Sequence, residues 1–414
     1  MNDMSLENPV SGSRGVWSLY GAAFAMAINL SVLWTAMPFI IRNIGGTEEH
    51  VGFVWAANMT GYVVCLLVAA TLLGHLSPRW TTRVAAVVML LATTAIGIFV
   101  YRAVVLGQTG NVGLVWAVIG AGMLAGAAMS LYWPFLMAWV SADYEGAVLN
   151  RRLGAYNGSW SSAAIIGPLI GGALVEMNTL GPIVLGVGCL GVCFVLLCLT
   201  HDGSAGRAGS VGTPEVKEIV LDEGLLRRLK WMARISLFCS WACLGVSRSQ
   251  FALLFTGLGY SETQFGTIVM VFAVCNFIVL TGAGRFGFWH FRPGLLMVGQ
   301  VVLGMALLLM IYGRTLWAFV PAFVIMGSGF GFAYSSHLYY GACGSKNRSM
   351  QMAIHEVTLS LGVVVGSGVG GYLAGNFGVY LPYWFAIGVL GSGLIAQMIV
   401  WVGIRGVSKA EATL

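Results

Sequence analysis

Residues 165–174, IIGPLIGGAL, and residues 364–373, VVGSGVGGYL, share a pattern of small residues at a spacing of 199 positions. At the same spacing, Asn157 falls on Glu356, so the similarity extends beyond the glycines. Two weakly similar segments at one fixed offset indicate that the chain is built from two parallel repeats. This repeat decides the expected architecture, and the rest of the sequence is consistent with it.

The composition indicates which solvent surrounds the chain. Of its 414 residues, 58% are hydrophobic and only 9% are charged, and the mean hydropathy is +0.85. An ordinary soluble domain carries roughly 25% charged residues, so the composition excludes a soluble globule. Apolar runs of about 20 to 27 residues recur, and a helix of this length crosses a hydrocarbon core of about 30 Å. Lipid therefore surrounds most of the protein.

These runs predict an all-α polytopic membrane protein of about twelve transmembrane helices, arranged as two six-helix bundles. Membrane-spanning strands would alternate over about ten residues, which these runs do not. A polar stretch at 201–229 is expected to be a central loop between an N-terminal bundle, 1–200, and a C-terminal bundle, 230–414. The predicted spans are 16–41, 51–75, 84–106, 113–140, 153–175, 180–200, 230–257, 262–285, 294–312, 315–342, 350–375 and 380–404.

The distribution of basic residues predicts the orientation in the membrane. Apart from Arg248, which lies inside a span, only Arg42, Arg102 and Arg314 of the 21 basic residues fall on one side of this topology. Basic residues stay on the cytoplasmic side, so both termini are expected there, in the inner (plasma) membrane. The net charge of +6 then reflects topology and gives no indication of nucleic acid. The first span is too long for a signal-peptide core, and we expect it to be retained.

The loop after the second predicted span, GHLSPRWTTR at 74–83, resembles the loop signature of the major facilitator superfamily. The second-half counterpart is GRFGFWHFRP at 284–293. The matching residues are Gly74, Arg79 and Arg83 in the first copy and Gly284 and Arg292 in the second. Pro78 and Phe288 replace the acidic residue of the signature, so both copies of this gating loop lack the carboxylate of the charge relay that the family assigns to it. The resemblance implies the family fold and transport of a small solute.

A second resemblance, to the antiporter-associated signature of the same family, lies in the fifth span. The matching residues are Gly154, Gly167, Pro168, Gly171 and Gly172, with Ala163 in place of one further glycine. The resemblance implies an export-type antiporter. The alternative is packing alone, because small residues let helices approach closely, as Gly366 and Gly370 would in the eleventh span. The fourth span lacks the buried Arg of similar proton-coupled exporters, so the direction of transport stays open.

Glu356 is the only acidic residue placed well inside a predicted span. At about 100° per residue it shares one helix face with Ser360 and Ser367, whereas His355 points to another face. A charge in hydrocarbon is costly and tends to be kept for a function. His337 in the tenth span lies at a similar depth, and a carboxyl with an imidazole suits proton binding and release. We therefore predict proton coupling through Glu356 and His337; the alternative is a structural bond between two helices.

Arg248 is the second charged candidate, and it either binds an anionic group of the solute or anchors its helix as a snorkelling side chain. Neutral polar and aromatic residues within spans are the usual lining of a small-molecule cavity. The remaining cavity candidates are Asn29, Trp34, Asn58, Tyr132, Asn157, Gln250 and Tyr340. Each is also explained by packing.

The expected mechanism is alternating access by a monomer, with the first, fourth, seventh and tenth helices lining the cavity. No motif indicates a cofactor, a resident metal ion or a catalytic site, so an enzyme is not expected. Two alternatives on the same fold remain. One is an importer of a solute or metal ion, and the other is a transport-inactive sensor or assembly factor.

Overall fold

The computed structural model describes residues 11–72, 76–141, 146–200, 223–343 and 348–411. Twelve α-helices make up almost all of this described part. Their bounds are α1 Ser11–Asn43, α2 Glu48–Leu72, α3 Pro78–Val104, α4 Val112–Ser141, α5 Gly146–Met177, α6 Gly181–Leu199, α7 Glu223–Gly257, α8 Glu262–Arg285, α9 Pro293–Tyr312, α10 Leu316–Ala342, α11 Arg348–Phe377 and α12 Leu381–Glu411.

All twelve helices are long and apolar enough to cross a membrane, so the predicted fold class is confirmed for the described residues. The helix ends mostly lie within a few residues of the predicted spans. The largest differences are that α5 and α7 each begin seven residues earlier than predicted and that α12 ends seven residues later. Hydropathy marks the part of a helix that lies in hydrocarbon, whereas the helix itself continues through polar residues into the interface.

The helix packing repeats between the two halves. In the first half, α1 packs against α5 and α6, α4 packs against α2 and α3, and α3 packs against α6. The second half repeats each pairing, with α7 against α11 and α12, α10 against α8 and α9, and α9 against α12. The α1–α2 and α7–α8 turns also match, because Gly45 and Gly259 both have a φ of 91°. Such a φ favours glycine, so the repeat extends to the turns.

The hydrophobic core is divided unequally across the membrane. We call the side of the α2–α3, α4–α5, α6–α7, α8–α9 and α10–α11 connections the basic face, and the other side the opposite face. Toward the opposite face, one core cluster joins both halves and includes Met37 and Phe251. Toward the basic face, the halves have separate cores, which include Leu190 in the first half and Met232 in the second. The seam between α1–α6 and α7–α12 is therefore closed at the opposite face.

Candidate functional site

The seam is closed where α2 meets α11 and where α5 meets α8. A side chain at Gly52 would collide with the carbonyl oxygen of Ser367, and one at Gly172 with the carbonyl oxygen of Glu262. Phe39 and Phe265 also meet edge to face, with ring centroids 5.5 Å apart. These contacts all lie toward the opposite face, which agrees with the shared core on that side.

Four glycines of the two repeated segments, Gly167, Gly171, Gly366 and Gly370, pack helices together within each half. A methyl group at Gly167 or Gly171 would collide with α1, at Ser31 and at the carbonyl oxygen of Val32 respectively. Gly366 lies in the same way against the carbonyl oxygen of Ala242 in α7. At Gly370 an added Cβ would lie 3.2 Å from the Val246 side chain, whereas at Gly154 nothing lies within 4 Å. Pro168 lies within α5, where its carbonyl oxygen faces Gly266 of α8.

Glu356 faces the other half of the protein. The hydroxyl group of Tyr62 on α2 donates a hydrogen bond of 2.9 Å to Oε2 of Glu356 on α11. This bond joins the two halves nearer the basic face than the glycine contacts of the same two helices. Glu356, the one acidic side chain far from the ends of a described span, therefore takes part in a contact across the seam.

From the sequence we expected His337 to approach Glu356. In the structure His337 instead pairs with His355. The two Nδ1 atoms lie 2.9 Å apart, and both imidazoles are buried. Residues 355 and 356 are about 100° apart around α11, so only one of them can face α10. Tyr334 meets the edge of the His355 ring at 4.5 Å. The second ring nitrogen of His355, Nε2, is buried without a hydrogen-bond partner.

Arg248 is partly exposed and packs on an aromatic strip formed by Phe272, Phe330, Trp241 and Tyr334. The guanidinium carbon lies 5.0 Å from the ring centroid of Phe272. Successive rings of the strip are then 5.4, 5.8 and 6.5 Å apart. Through Tyr334 the strip reaches His355, so an unbroken aromatic path connects Arg248 with the neighbourhood of Glu356.

Four of the predicted cavity residues form hydrogen bonds with backbone groups of other segments of the chain. Asn58 donates from Nδ2 to the carbonyl oxygen of Gly122 at 2.9 Å, and Gln250 donates to that of Glu48 at 3.2 Å. The hydroxyl group of Tyr132 donates to the carbonyl oxygen of Ala22 at 3.1 Å, deep in the first-half core.

Tyr340, the fourth of these residues, accepts a hydrogen bond of 2.9 Å from the backbone N–H of Phe291. Tyr132 and Tyr340 are 0% and 1% exposed, so the expectation that they line a cavity is wrong for this conformation. The reason is that a polar side chain within a span satisfies its hydrogen bonds wherever a free backbone group is near, and the sequence does not encode that direction.

The other three cavity candidates occupy different environments. Asn29 is buried between α1 and α6, where its amide faces Gly186 and lacks a hydrogen-bond partner. Trp34 packs edge to face on Trp55 at 5.1 Å. Asn157 is exposed and accepts a hydrogen bond of 3.0 Å from Trp160. Only Asn157 among these is open to solvent or lipid.

The loop motif at the basic face ties helices together. Arg83 donates two hydrogen bonds, of 3.1 and 3.0 Å, to the carbonyl oxygen of Leu197 near the end of α6. Arg79 lies over the Trp139 ring at 5.9 Å. In the second copy Arg292 precedes α9, and Gly284 has open space around it. Gly74 lies outside the described residues.

Sequence reasoning missed Trp241 and Tyr334, which belong to the aromatic strip. A signal existed for Trp241, because it precedes Arg248 by seven residues and so lies within about 20° of it around α7. Tyr62 was one of several polar groups in the second span, and nothing in the sequence pairs it with Glu356. No group of three or more His, Cys, Asp or Glu side chains that could hold a metal ion occurs among the described residues.

A family model described as Major Facilitator Superfamily matches residues 19–342, which is most of the chain. The chain belongs to this superfamily. A solved superfamily-fold structure, a bacterial homologue of the iron transporter ferroportin in an inward-facing state, superimposes with a TM-score of 0.73. It covers 94% of this chain and 98% of that one at 12% identity, which is a likeness of fold alone.

Two curated transporters are similar over shorter stretches. The chain is 26% identical over 155 residues to the acurin A biosynthesis cluster MFS-type transporter of Aspergillus aculeatus. It is 27% identical over 128 residues to multidrug resistance protein 2 of Bacillus subtilis. The matches cover 37% and 30% of this chain, and 26% and 32% of those relatives. The chain is thus a polytopic membrane member of the superfamily that spans about a third or less of these curated relatives, and its solute is not specified by them.

Proposed function

We propose that this protein is a proton-coupled secondary transporter that moves a small solute by alternating access, and that Glu356 is the group that binds the coupled proton. The observation that carries the proposal is the hydrogen bond between Glu356 and Tyr62 across the seam. A group that couples protons to a rearrangement of two bundles must sense both the proton and the relative position of the bundles. Glu356 meets both conditions.

The division of the core supports the alternating-access part of the proposal. The two halves share one core at the opposite face and have separate cores at the basic face. With both termini on the cytoplasmic side, the basic face is cytoplasmic, and this conformation is closed to the exterior. Rocking of the two bundles exchanges which face is closed, because the helices move as packed units around a central site.

The chemistry of the Tyr62–Glu356 bond supplies the coupling. An ionised carboxylate accepts a charge-assisted hydrogen bond, which is roughly twice as strong as a neutral one. Protonation of Glu356 therefore weakens the contact between α2 and α11 and lets the halves separate at that point. Conversely, deprotonation of Glu356 restores the charge-assisted bond. The proton thereby changes the relative free energies of the two arrangements.

His337 has a different part in this proposal from the one expected from sequence. Its bond with His355 fixes α10 to α11 on a face of α11 that is about 100° from the Glu356 face. We assign it a positioning role that holds the Glu356 face of α11 toward α2.

A screen of solutes by thermal shift on the purified protein supplies a ligand, because binding stabilises the folded state. Proteoliposomes then test coupling with that solute. For Glu356→Gln we expect exchange of labelled solute without a pH gradient, and loss of accumulation when a gradient is imposed. Tyr62→Phe serves as the matched variant that keeps the carboxyl.

Three outcomes of this experiment are informative. Gradient-driven accumulation by Glu356→Gln would exclude coupling through this residue. Binding without exchange of label by the wild-type protein would favour a transport-inactive sensor. The sign of the gradient that drives accumulation reports the direction of transport, and thereby tests the exporter interpretation of the α5 motif.

A further inference from the structure

Arg248 carries a positive charge inside the membrane, and no described residue forms an ion pair with it. It lies nine residues before the end of α7, about 13 Å into the bundle. Within the described part of the chain, no hydrogen bond or ion pair satisfies its guanidinium group, and its one recorded contact is the face of Phe272. An unpaired charge at this depth is costly, so a partner is expected from outside the protein.

The partial exposure of Arg248 opens into the protein and not to lipid. Helix α7 packs against α1 and α2 of the first half and against α8 to α12 of its own half. A helix surrounded in this way has no lipid-facing side in the middle of its length. The accessible side of Arg248 therefore faces the seam, at the depth of the core that the two halves share.

The surroundings of Arg248 define the rest of the ligand. Trp241 lies on the same face of α7, about 10 Å closer to the basic face, and is partly exposed. Its indole N–H is buried without an acceptor. The other partly exposed member of the aromatic strip is Tyr334. A flat apolar body fits against these two rings, and an acceptor on that body would satisfy the indole N–H.

The charge of the site is that of one guanidinium group. The other basic residues toward the opposite face, Arg42, Arg102 and Arg314, lie at or beyond helix ends, and Arg42 is paired with Glu48. A monoanion balances a single positive charge, whereas a phosphate dianion would need a second cation nearby. The planar fork of Arg matches a carboxylate in a bidentate arrangement.

We propose that Arg248 is the anion subsite of the transported solute and that the solute is a small monocarboxylate with an aromatic body lying along Trp241 and Tyr334. This proposal rests on the proposed function and narrows it to one substrate class. In this arrangement Arg248 binds the carboxylate of the solute, and the partly exposed rings of the strip contact its apolar part. Glu356, at the other end of the strip, remains free to bind the proton.

Matched ligand pairs test this proposal on the purified full-length protein. The probes are benzoate and indole-3-acetate, each compared with its neutral amide, and inorganic phosphate. We expect at least one carboxylate to raise the melting temperature, whereas the amides and phosphate leave it unchanged. Arg248→Gln should raise the Kd about ten- to hundredfold, as expected for loss of a hydrogen-bonded charge pair.

Two further variants keep the test decisive. Arg248→Lys keeps the charge but loses the bidentate fork, so intermediate binding is expected even if Arg248→Gln fails to fold. Arg102→Gln removes the same charge from an exposed site, and its binding should equal that of the wild-type protein.

The proposal is overturned if no carboxylate stabilises the protein, or if the Arg248 variants bind as tightly as the wild-type protein. In either case, gradient-driven transport of a neutral solute that depends on Glu356 would leave the coupling proposal standing. Conversely, Arg248-dependent carboxylate binding together with gradient-driven accumulation by Glu356→Gln would support the anion subsite and exclude coupling through Glu356.

Discussion

The segment around Asn157 in α5 and the segment around Glu356 in α11 occupy matching places in the two repeats, yet only one of them joins the halves. Glu356 accepts a hydrogen bond from Tyr62 on α2, whereas Asn157 accepts one from Trp160 on its own helix. The preceding residues also match in position. Tyr156 faces the ring of Trp133 on α4, as His355 faces His337 on α10.

The comparison shows that the repeat preserves geometry and not chemistry. In each half one residue faces the fourth helix of its bundle, and the next residue points about 100° away. The first half fills these positions with groups that do not exchange protons near neutral pH, and the second half fills them with a carboxyl and an imidazole. The scaffold is therefore symmetric, whereas the carboxyl and the imidazole at these positions lie in the second half alone.

Making the two halves alike at the seam should have the largest effect. Glu356→Asn gives α11 the residue of α5 and removes the only carboxyl that lies far from the ends of the described spans. We expect gradient-driven accumulation to fall at least about a hundredfold, since the charge-assisted bond to Tyr62 and the proton site are both lost. Asn157→Ala is the control in uptake assays on proteoliposomes, and it should retain accumulation. Equal losses in both variants would show that the halves share the coupling.

The glycines at equivalent positions test the preserved geometry. Gly366→Ala places a methyl group against the backbone of Ala242, and Gly167→Ala places one against Ser31. We expect each to lower the free energy of unfolding by about 1–3 kcal/mol, as overpacking does. Gly154→Ala, which meets open space, should leave stability unchanged or raise it slightly. Thermal denaturation of the purified proteins measures this order, and destabilisation by Gly154→Ala would contradict it.

The paired imidazoles separate positioning from proton transfer. His337→Phe leaves Nδ1 of His355 buried without a partner, which costs about 1–3 kcal/mol of stability. Tyr156→Phe is the equivalent change in the first half and keeps the ring contact with Trp133, so a smaller loss is expected. Both variants should retain gradient-driven accumulation. Abolished accumulation in His337→Phe with an unchanged melting temperature would instead make His337 a proton carrier.

Much of the fold was predictable because hydropathy and the repeat are local in sequence. The span 262–285 matches α8 to the residue, since Ser261 caps the helix with Gln264 and the apolar run begins at once. The starts of α5 and α7 and the end of α12 were misplaced because charged residues near these helix ends lie outside the apolar runs. Helical periodicity also placed Glu356 and His355 on different faces, as the structure does.

The candidate site was less predictable because periodicity gives directions around one helix and not the partners across a seam. Tyr132 and Asn58 are polar groups within spans, but their partners are backbone carbonyl oxygens of neighbouring helices. Tyr62 meets Glu356 only because α2 and α11 approach closely through glycine contacts from opposite halves. Such long-range partners depend on the three-dimensional arrangement, which a single sequence does not specify.

The loops at the basic face also differ between the two halves, and a substitution there is expected to have the smallest effect. In the first half Arg79 and Arg83 lie over the Trp139 ring, whereas in the second half His290 stacks on Tyr339, with ring centroids 3.8 Å apart. Partial burial lowers the pKa of His290 below its ordinary value. The unfolded chain therefore takes up this proton first as the pH falls.

Folding stability should then decrease as the pH falls through about 6.5, the ordinary value for histidine, toward the lower pKa of the folded state. Above that range His290 is neutral in both states and contributes no pH dependence. His290→Phe keeps the stacked ring without the titrating nitrogen, so its melting temperature should fall less than that of the wild-type protein between pH 7.5 and 5.5. A steeper fall in the variant would mean that the folded protein favours the charged imidazole, and that the second-half loop resembles the cationic first-half loop in its charge.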